Sequence, residues 1–391
     1  MDSEIFMEEI QTWNSGPSPL GRSGHRISCT DSFLYSFGGF HPTEGALAEA
    51  WRLNLSTGEW EQLSGPGEEA PTTCISHCMA SFGRDLVTFG GTSYPFGSVM
   101  SKEVHACDRA SGKWRVVPSE GEAPQEMYGQ AFRRMGDYVY TVGGTSGYHF
   151  SLQAHAYHLP TGTWTCLASS DLYKGNEPTG RYKAEIGVVQ GHIVVVGGSA
   201  ADGVFSLDEV PVLDIQTGSW SLKQTKPDPK CHAYPSPRKC HASVQRGADL
   251  YVIGGANGSE VFDDVWKLDL LTLVWSRTSL VLPVPLYFHD AAFSPNGSLI
   301  VYGGSSVVGS SERSSAVFRA RLQAPPLLEA AWKAFTTNCP AITVPFQDSG
   351  EDQEVFQESR EANSMELLAA GVPRRLIQRL KKLPKERKGC H

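Results

Sequence analysis

Two adjacent glycines recur six times along the chain: Gly38-Gly39, Gly90-Gly91, Gly143-Gly144, Gly197-Gly198, Gly254-Gly255 and Gly303-Gly304. The first glycines lie 52, 53, 54, 57 and 49 residues apart, and each pair closes a short apolar stretch such as Leu86-Val87-Thr88-Phe89 or Ile300-Val301-Tyr302. A period near fifty residues marks a radial or stacked array, whose units bury their faces only against their neighbours. Most of the chain therefore builds a rigid body with one functional face.

Five of the six pairs are followed by a tryptophan: Trp60, Trp114, Trp164, Trp220 and Trp275. A glycine turn precedes four of these, as in Ser56-Thr57-Gly58, and a third apolar strand such as Val265-Trp266-Lys267-Leu268 precedes each turn. Short strands separated by turn residues give four strands per unit. The glycines end the second strand where the backbone needs positive φ or close approach, and the indole plugs the gap between neighbouring sheets. The sixth unit has no tryptophan after Leu322, whereas Trp13 precedes the first unit at the matching offset. The expected solution is a ring closed by an N-terminal strand that carries Trp13 and covers an exposed sheet edge.

Bulk properties narrow the function. The net charge is −8 and the pI about 5.9, which excludes a global basic field for nucleic acid or an acidic membrane. No stretch approaches a membrane span, and Met1-Asp2-Ser3-Glu4-Ile5 is not a secretory signal. The nine cysteines are scattered without a CxxC pair, so neither a zinc site nor a disulfide framework is expected. The expectation is a cytoplasmic or nuclear protein without metal or cofactor.

The repeated units resemble the kelch repeat, an apolar strand, a double glycine and a spaced tryptophan, over residues 10–322. The resemblance implies an all-β fold, a six-bladed kelch β-propeller, with its ligand over the top of the central channel. The loops entering each first strand and leaving each second strand line that surface. They bring Arg22, Arg181, Lys183 and Arg238 toward one axis, with the hydroxyls of Ser199 and Ser305 and the rings of Tyr128 and Tyr182. Converging guanidinium groups suit a carboxylate, which they pair in bidentate fashion. Arginine and histidine before the first strand also serve kelch repeats as structural residues bonded between blades, and that reading stays open.

After Leu322 the pattern changes. A helix is expected over 326–336, a polar acidic linker over 347–363, two short helices over 364–383 broken at Pro373, and a basic tail over 384–391. Pro326, Leu327, Ala331 and Phe335 resemble the BC box that binds elongin C, with Ala331 in place of the usual cysteine. Val372, Pro373, Leu376 and Leu380 resemble a cullin-2 box. Both dock as an apolar helix in a groove. A propeller followed by these boxes is similar to the kelch substrate receptors of cullin-2 ubiquitin ligases. This implies a non-catalytic adaptor that binds the C-terminal tails of substrates (C-degrons) and recruits elongin B/C, cullin-2 and its RING subunit. Two other classes compete. A copper oxidase on a kelch propeller would need Tyr, His and Cys ligands at a spacing that is not recognisable here. A plain protein-binding scaffold would need neither converging cations nor a BC box.

Overall fold

A computed structural model describes residues 4–12, 16–65, 67, 69–169 and 178–321. The BC-box and cullin-2-box residues, and Trp13, lie outside the described residues. One compact unit runs from Met1 to Leu322.

The described residues form the six blades of a propeller, each of four antiparallel strands, and two of them, blades three and five, gain a fifth, parallel edge strand, Glu120–Gly121 and Ile5–Phe6. Blade one contains Arg26–Cys29, Phe33–Phe37, Ala50–Asn54 and Trp60–Ser64. Blades two to five repeat that order, beginning at Cys78–Phe82, Ala131–Met135, Glu185–Val189 and Ala242–Arg246. Blade six contains Asp290–Phe293, Ser298–Tyr302 and Val317–Arg321, and takes its outermost strand, Glu8–Glu9, from the N-terminal segment. First strands of successive blades touch in turn around the axis, with blade six against blade one.

The tryptophans plug the gaps between blades. Trp60 packs against Tyr302 of blade six, Trp114 against Phe37 of blade one, and Trp164 against Phe89 of blade two, with ring centroids 5.3, 4.4 and 5.0 Å apart. Trp275 is fully buried with Val194, Val196 and Leu207 of blade four. Each indole thus fills a contact that a single sheet cannot fill alone.

The ring closes as expected, with a strand of the N-terminal segment completing blade six; Trp13, expected on that strand, lies outside the described residues. The closing strand is Glu8–Glu9, paired as Glu8 with Arg319 and Glu9 with Phe318, earlier in the chain than Trp13. Continuing this register by one residue sets Met7 against Ala320. Blade one pairs its tryptophan in the same place, Trp60 with Leu53. Met7 is 3% exposed and packs among Val244, Ile253, Leu280 and Phe318. An unbranched thioether fills this irregular gap as the indoles fill the others. Just before it, Ile5–Phe6 pairs in parallel with the edge of blade five, and Met7 N–H donates to Val281 O at 3.0 Å. The N-terminal segment therefore ties blade five to blade six, and strand structure begins at Ile5, ahead of the boundary read at residue 10.

The double glycine has a steric cause. A Cβ on Gly254 (φ 55°) would lie 2.6 Å from Leu286 O and 3.0 Å from His289 Cε1 in the next blade. A Cβ on Gly255 (φ 98°) would lie 2.8 Å from the Cβ of His241 in its own blade. Only glycine fits a left-handed backbone pressed from both sides. Gly255 N–H then donates to Leu286 O at 2.8 Å, joining blade five to blade six.

Candidate functional site

One residue in each loop entering a first strand has positive φ: Gly24, Ser76, Gly129, Lys183, Cys240 and Phe288. Their backbones form a closed ring around the axis. Ser76 N–H donates to Gly24 O (2.7 Å), Gly129 to Ser76 (2.9 Å), Lys183 to Gly129 (2.8 Å), Cys240 to Lys183 (3.1 Å), Phe288 to Cys240 (2.9 Å) and Gly24 to Phe288 (2.9 Å). Non-glycine residues in this region cost on the order of 1 kcal/mol each, so a side chain here is held in place by the ring. The ring narrows the channel and separates a cup above it from a second opening below.

The next residue in four of these loops is a histidine: His25, His77, His241 or His289, with Gln130 and Ala184 in blades three and four. All four histidines are buried. Burial, joined for His77 by the nearby Arg26 and for His241 by Arg238 and His289, holds His77 and His241 down at about 3. Burial likewise holds His289 at about 4 and His25 well below the usual range. They are neutral packing residues, and His25 Nε2 lies 3.1 Å from Tyr302 O in the preceding blade. Among the described residues no group of His, Cys, Asp and Glu is placed to hold a metal ion.

Below the ring the channel is crossed by paired charges. Arg26 Nη1 lies 3.3 Å from Asp290 and 3.4 Å from Glu185, and Arg133 lies 3.7 Å from Glu185. Ser243 donates to Glu185 at 3.0 Å, and Ile27 N–H donates to Asp290 at 2.7 Å. Burial raises both carboxyl groups, against the pull of Arg26. The lower opening, about 300 Å³, is the larger cavity, but its charges satisfy one another.

The cup above the ring, about 230 Å³, is lined by Ser23, Gly24, Phe40, Ile75, Ser76, Phe96, Tyr128, Tyr182, Lys183, Phe288 and Arg313. Its wall is aromatic: Phe40 and Phe96 centroids lie 5.0 Å apart, and Tyr128 and Tyr182 6.4 Å. Among the described residues, no acidic one lines it. Lys183 Nζ lies 5.0 Å over the Phe288 ring and has no carboxylate within ion-pair distance among the described residues. Burial lowers it to about 8, with Arg26 adding repulsion and Cys240, Glu185 and Asp290 opposing. Arg313 Nε donates to Ser23 Oγ at 2.9 Å, and its Nη1 to Ser310 O and Glu312 O at 2.7 and 2.8 Å. It too has no acidic partner among the described residues, and burial lowers it. An uncompensated ammonium over an aromatic floor, in a chain of net charge −8, suits a small anionic group joined to an apolar body.

The structure separates the residues singled out in the sequence. Lys183, Tyr128 and Tyr182 meet in the cup. The three arginines turn away from it, each donating Nη1 to the first glycine carbonyl of its own blade: Arg22 to Gly38 (3.1 Å), Arg181 to Gly197 (3.3 Å) and Arg238 to Gly254 (2.9 Å). Arg22 pairs with Glu49 at 2.6 Å, and Arg238 with Asp264 at 2.6 and 3.1 Å. Arg181 stacks 3.8 Å over Phe205, and burial draws it down to about 10. This is the structural role left open for arginine before the first strand. Ser305 Oγ is occupied in its own loop by Val307 O and Glu312 O, and Ser199 is buried beneath Tyr182 through their backbone pairing. Sequence reasoning missed Arg313, Phe96 and Ser76 as cup residues. The only available signal for Arg313 was a basic residue in the loop after the sixth double glycine.

Six four-stranded blades, each with a double glycine ending its second strand and most with an inter-blade indole, decide the family. The chain belongs to the kelch-repeat proteins. The KLHDC2/KLHL20/DRC7 kelch-repeats domain matches residues 7–198 and 170–338. Kelch domain-containing protein 10 of Rattus norvegicus is 32% identical over 374 residues, 93% of this chain and 86% of that one. The Homo sapiens protein of that name is also 32% identical over 374 residues, 93% of this chain and 80% of its own length. The Drosophila melanogaster homolog is 30% identical over 399 residues, 93% of this chain and 62% of that one. Kelch propellers are generally non-catalytic binding scaffolds. No helix among the described residues is long and apolar enough to cross a membrane.

Proposed function

We propose that this kelch propeller is the substrate-recognition subunit of a cullin-2 RING ubiquitin ligase, and that its upper cup receives the free C-terminus of a substrate. The single observation that carries the reading is Lys183, a half-buried cation without an acidic ion-pair partner among the described residues, on the floor of an aromatic cup. A terminal carboxylate would supply the missing charge, with Ser76 and Arg313 offering further donors. Tyr128, Tyr182, Phe40 and Phe96 would pack on the last side chains. Arg22, Arg181 and Arg238 would hold the cup's shape from beneath the loops.

Ligase recruitment rests on the two boxes at 326–335 and 372–380, outside the described residues. Elongin B/C would bind through Pro326, Leu327, Ala331 and Phe335, and cullin-2 through Val372, Pro373, Leu376 and Leu380. The chain would carry no catalytic residue of its own. A screen of peptides with varied C-termini against the full chain, and elongin C capture by wild type and Leu327→Ala, test the two halves separately. Retained capture by Leu327→Ala would sink the recruitment half. A screen without C-terminal selectivity would favour the alternative, a kelch scaffold for a folded partner. Tyr94, Phe96, Val99, Val307 and Val308, exposed on the same face, would serve that alternative.

A further inference from the structure

Three asparagines lie among the described residues, each at a turn: Asn54, Asn257 and Asn296. Asn257 and Asn296 share the tripeptide Asn-Gly-Ser. Asn257 sits in the loop after the fifth double glycine, on the face that carries the cup. Its Oδ1 accepts from the N–H groups of Ser259 and Glu260 at 3.0 and 2.8 Å and from the Ser259 hydroxyl at 3.0 Å. These donors lie two and three residues further on, so the amide folds forward over the Gly258 peptide. Its Nδ2 donates to the Glu260 carboxylate at 3.4 Å. Gly258 is exposed at a φ of 104°, and a Cβ there would meet nothing within 4 Å. Its N–H donates to no acceptor among the described residues.

We infer that Asn257 is a site of spontaneous deamidation, with the Gly258 nitrogen as nucleophile and water as the only co-reactant. That nitrogen attacks Cγ of Asn257. The N–Cγ bond forms, the Cγ–Nδ2 bond breaks, and the proton shed by the glycine nitrogen leaves on the departing ammonia. Water then opens the five-membered imide at either carbonyl and leaves aspartate or isoaspartate. Nothing is oxidised or reduced. The forward fold of the amide holds the reacting atoms close, and the three donors on Oδ1 stabilise the charge that this oxygen gains during attack. The product adds a negative charge to the cup face beside Glu260, and its isoaspartyl form also lengthens the main chain. Neither change depends on what the cup binds.

Each of the other two asparagines lacks one part of this arrangement. Asn54 has the same forward fold, its Oδ1 accepting from Ser56 and Thr57 N–H at 2.9 and 3.3 Å. The next nitrogen, however, belongs to Leu55 and donates to Ser32 O at 2.9 Å. Asn296 is followed by glycine, but Gly297 N–H donates to Ser294 O at 2.9 Å inside the hairpin of blade six. Its Oδ1 accepts from Ser294 Oγ at 2.6 Å and from Ser298 N–H at 3.3 Å. Both nitrogens must first be released from a backbone hydrogen bond, which slows attack about tenfold.

The test incubates the full chain at about neutral pH and follows each asparagine over time by peptide mapping and mass spectrometry. Asn257 should deamidate at least about tenfold faster than Asn296 and Asn54. The same comparison in the urea-unfolded chain separates fold from sequence. There Asn257 and Asn296, in the same tripeptide, should react at similar rates. Deamidation of Asn257 no faster than Asn296 in the folded chain would overturn the proposal. A gap that persists unchanged after unfolding would overturn it as well, because the fold would then play no part.

Discussion

Acidification should unfold this propeller through its buried histidines, and the size of the effect follows from their surroundings. Burial keeps His77 and His241 at about 3, His289 at about 4 and His25 well below the usual range, all with neutral rings inside the blades. In the unfolded chain each ring takes a proton near pH 6.5. The unfolded state therefore binds protons first. Stability is full above about pH 6.5 and is lost as pH falls from there toward the folded values. By about pH 5 His77, His241 and His289 have each cost about 2 kcal/mol, about 6 kcal/mol together, with His25 acting in the same direction, against a typical total of about 5–15 kcal/mol. Glu185 and Asp290, raised by burial, act in the opposite sense because the folded state takes up their protons first. A difference measurement removes that background. His241 has no hydrogen-bond partner among the described residues, and Gln130 occupies the equivalent place in blade three. Urea denaturation followed by tryptophan fluorescence, repeated between about pH 5 and 7.5, gives the slope of stability against pH. His241→Gln should lower that slope below pH 6 by about 1.4 kcal/mol per pH unit, the linkage of one proton. An unchanged slope would refute the claim that this ring is held neutral by the fold.

Three further outcomes follow. Met7→Ala should cost about 3 kcal/mol in urea denaturation, because it empties the plug position between blades five and six; a cost below about 1 kcal/mol would place the plug elsewhere. Asp264→Ala leaves Arg238 buried without its bidentate partner and should destabilise by about 3 kcal/mol, while tail affinity of the folded protein stays within about twofold; a large loss of affinity would return Arg238 to the binding site. Tail affinity should be flat between about pH 6 and 7 and fall as pH rises through 8. Free Lys183 loses its proton there, so binding must take one up. Isothermal titration in buffers of different ionisation enthalpy would show that uptake.

The architecture was legible because its causes are local and repeated. Each double glycine answers the same two close approaches, and each indole fills the same gap, so six copies state one geometry. Closure was legible only in outline. Met7 carries no signature of its own, and its place depends on the pairing of Glu8 and Glu9 with Arg319 and Phe318, which spans nearly the whole propeller. The site was legible by loop but not by side chain. Arg181 and Lys183 sit two residues apart in one loop, and nothing in their spacing says that Arg181 runs under the glycine turn. The ring of left-handed residues makes the difference, because it sets Lys183 toward the axis. Arg313 reaches the cup through a loop held by Ser305, whose backbone partners leave no pattern in the sequence.

The central claim is that the upper cup holds a free C-terminal carboxylate through Lys183. The most direct measurement compares two peptides of one sequence, selected from a C-terminal library, one ending in a free acid and the other in an amide. The affinity difference is then measured again with Lys183→Met. For the wild type the amide should bind at least about a hundredfold more weakly, as expected for losing a desolvated charge pair, and Lys183→Met should reduce that difference to a few-fold. Acid and amide binding within about twofold of each other on the wild type would contradict the account.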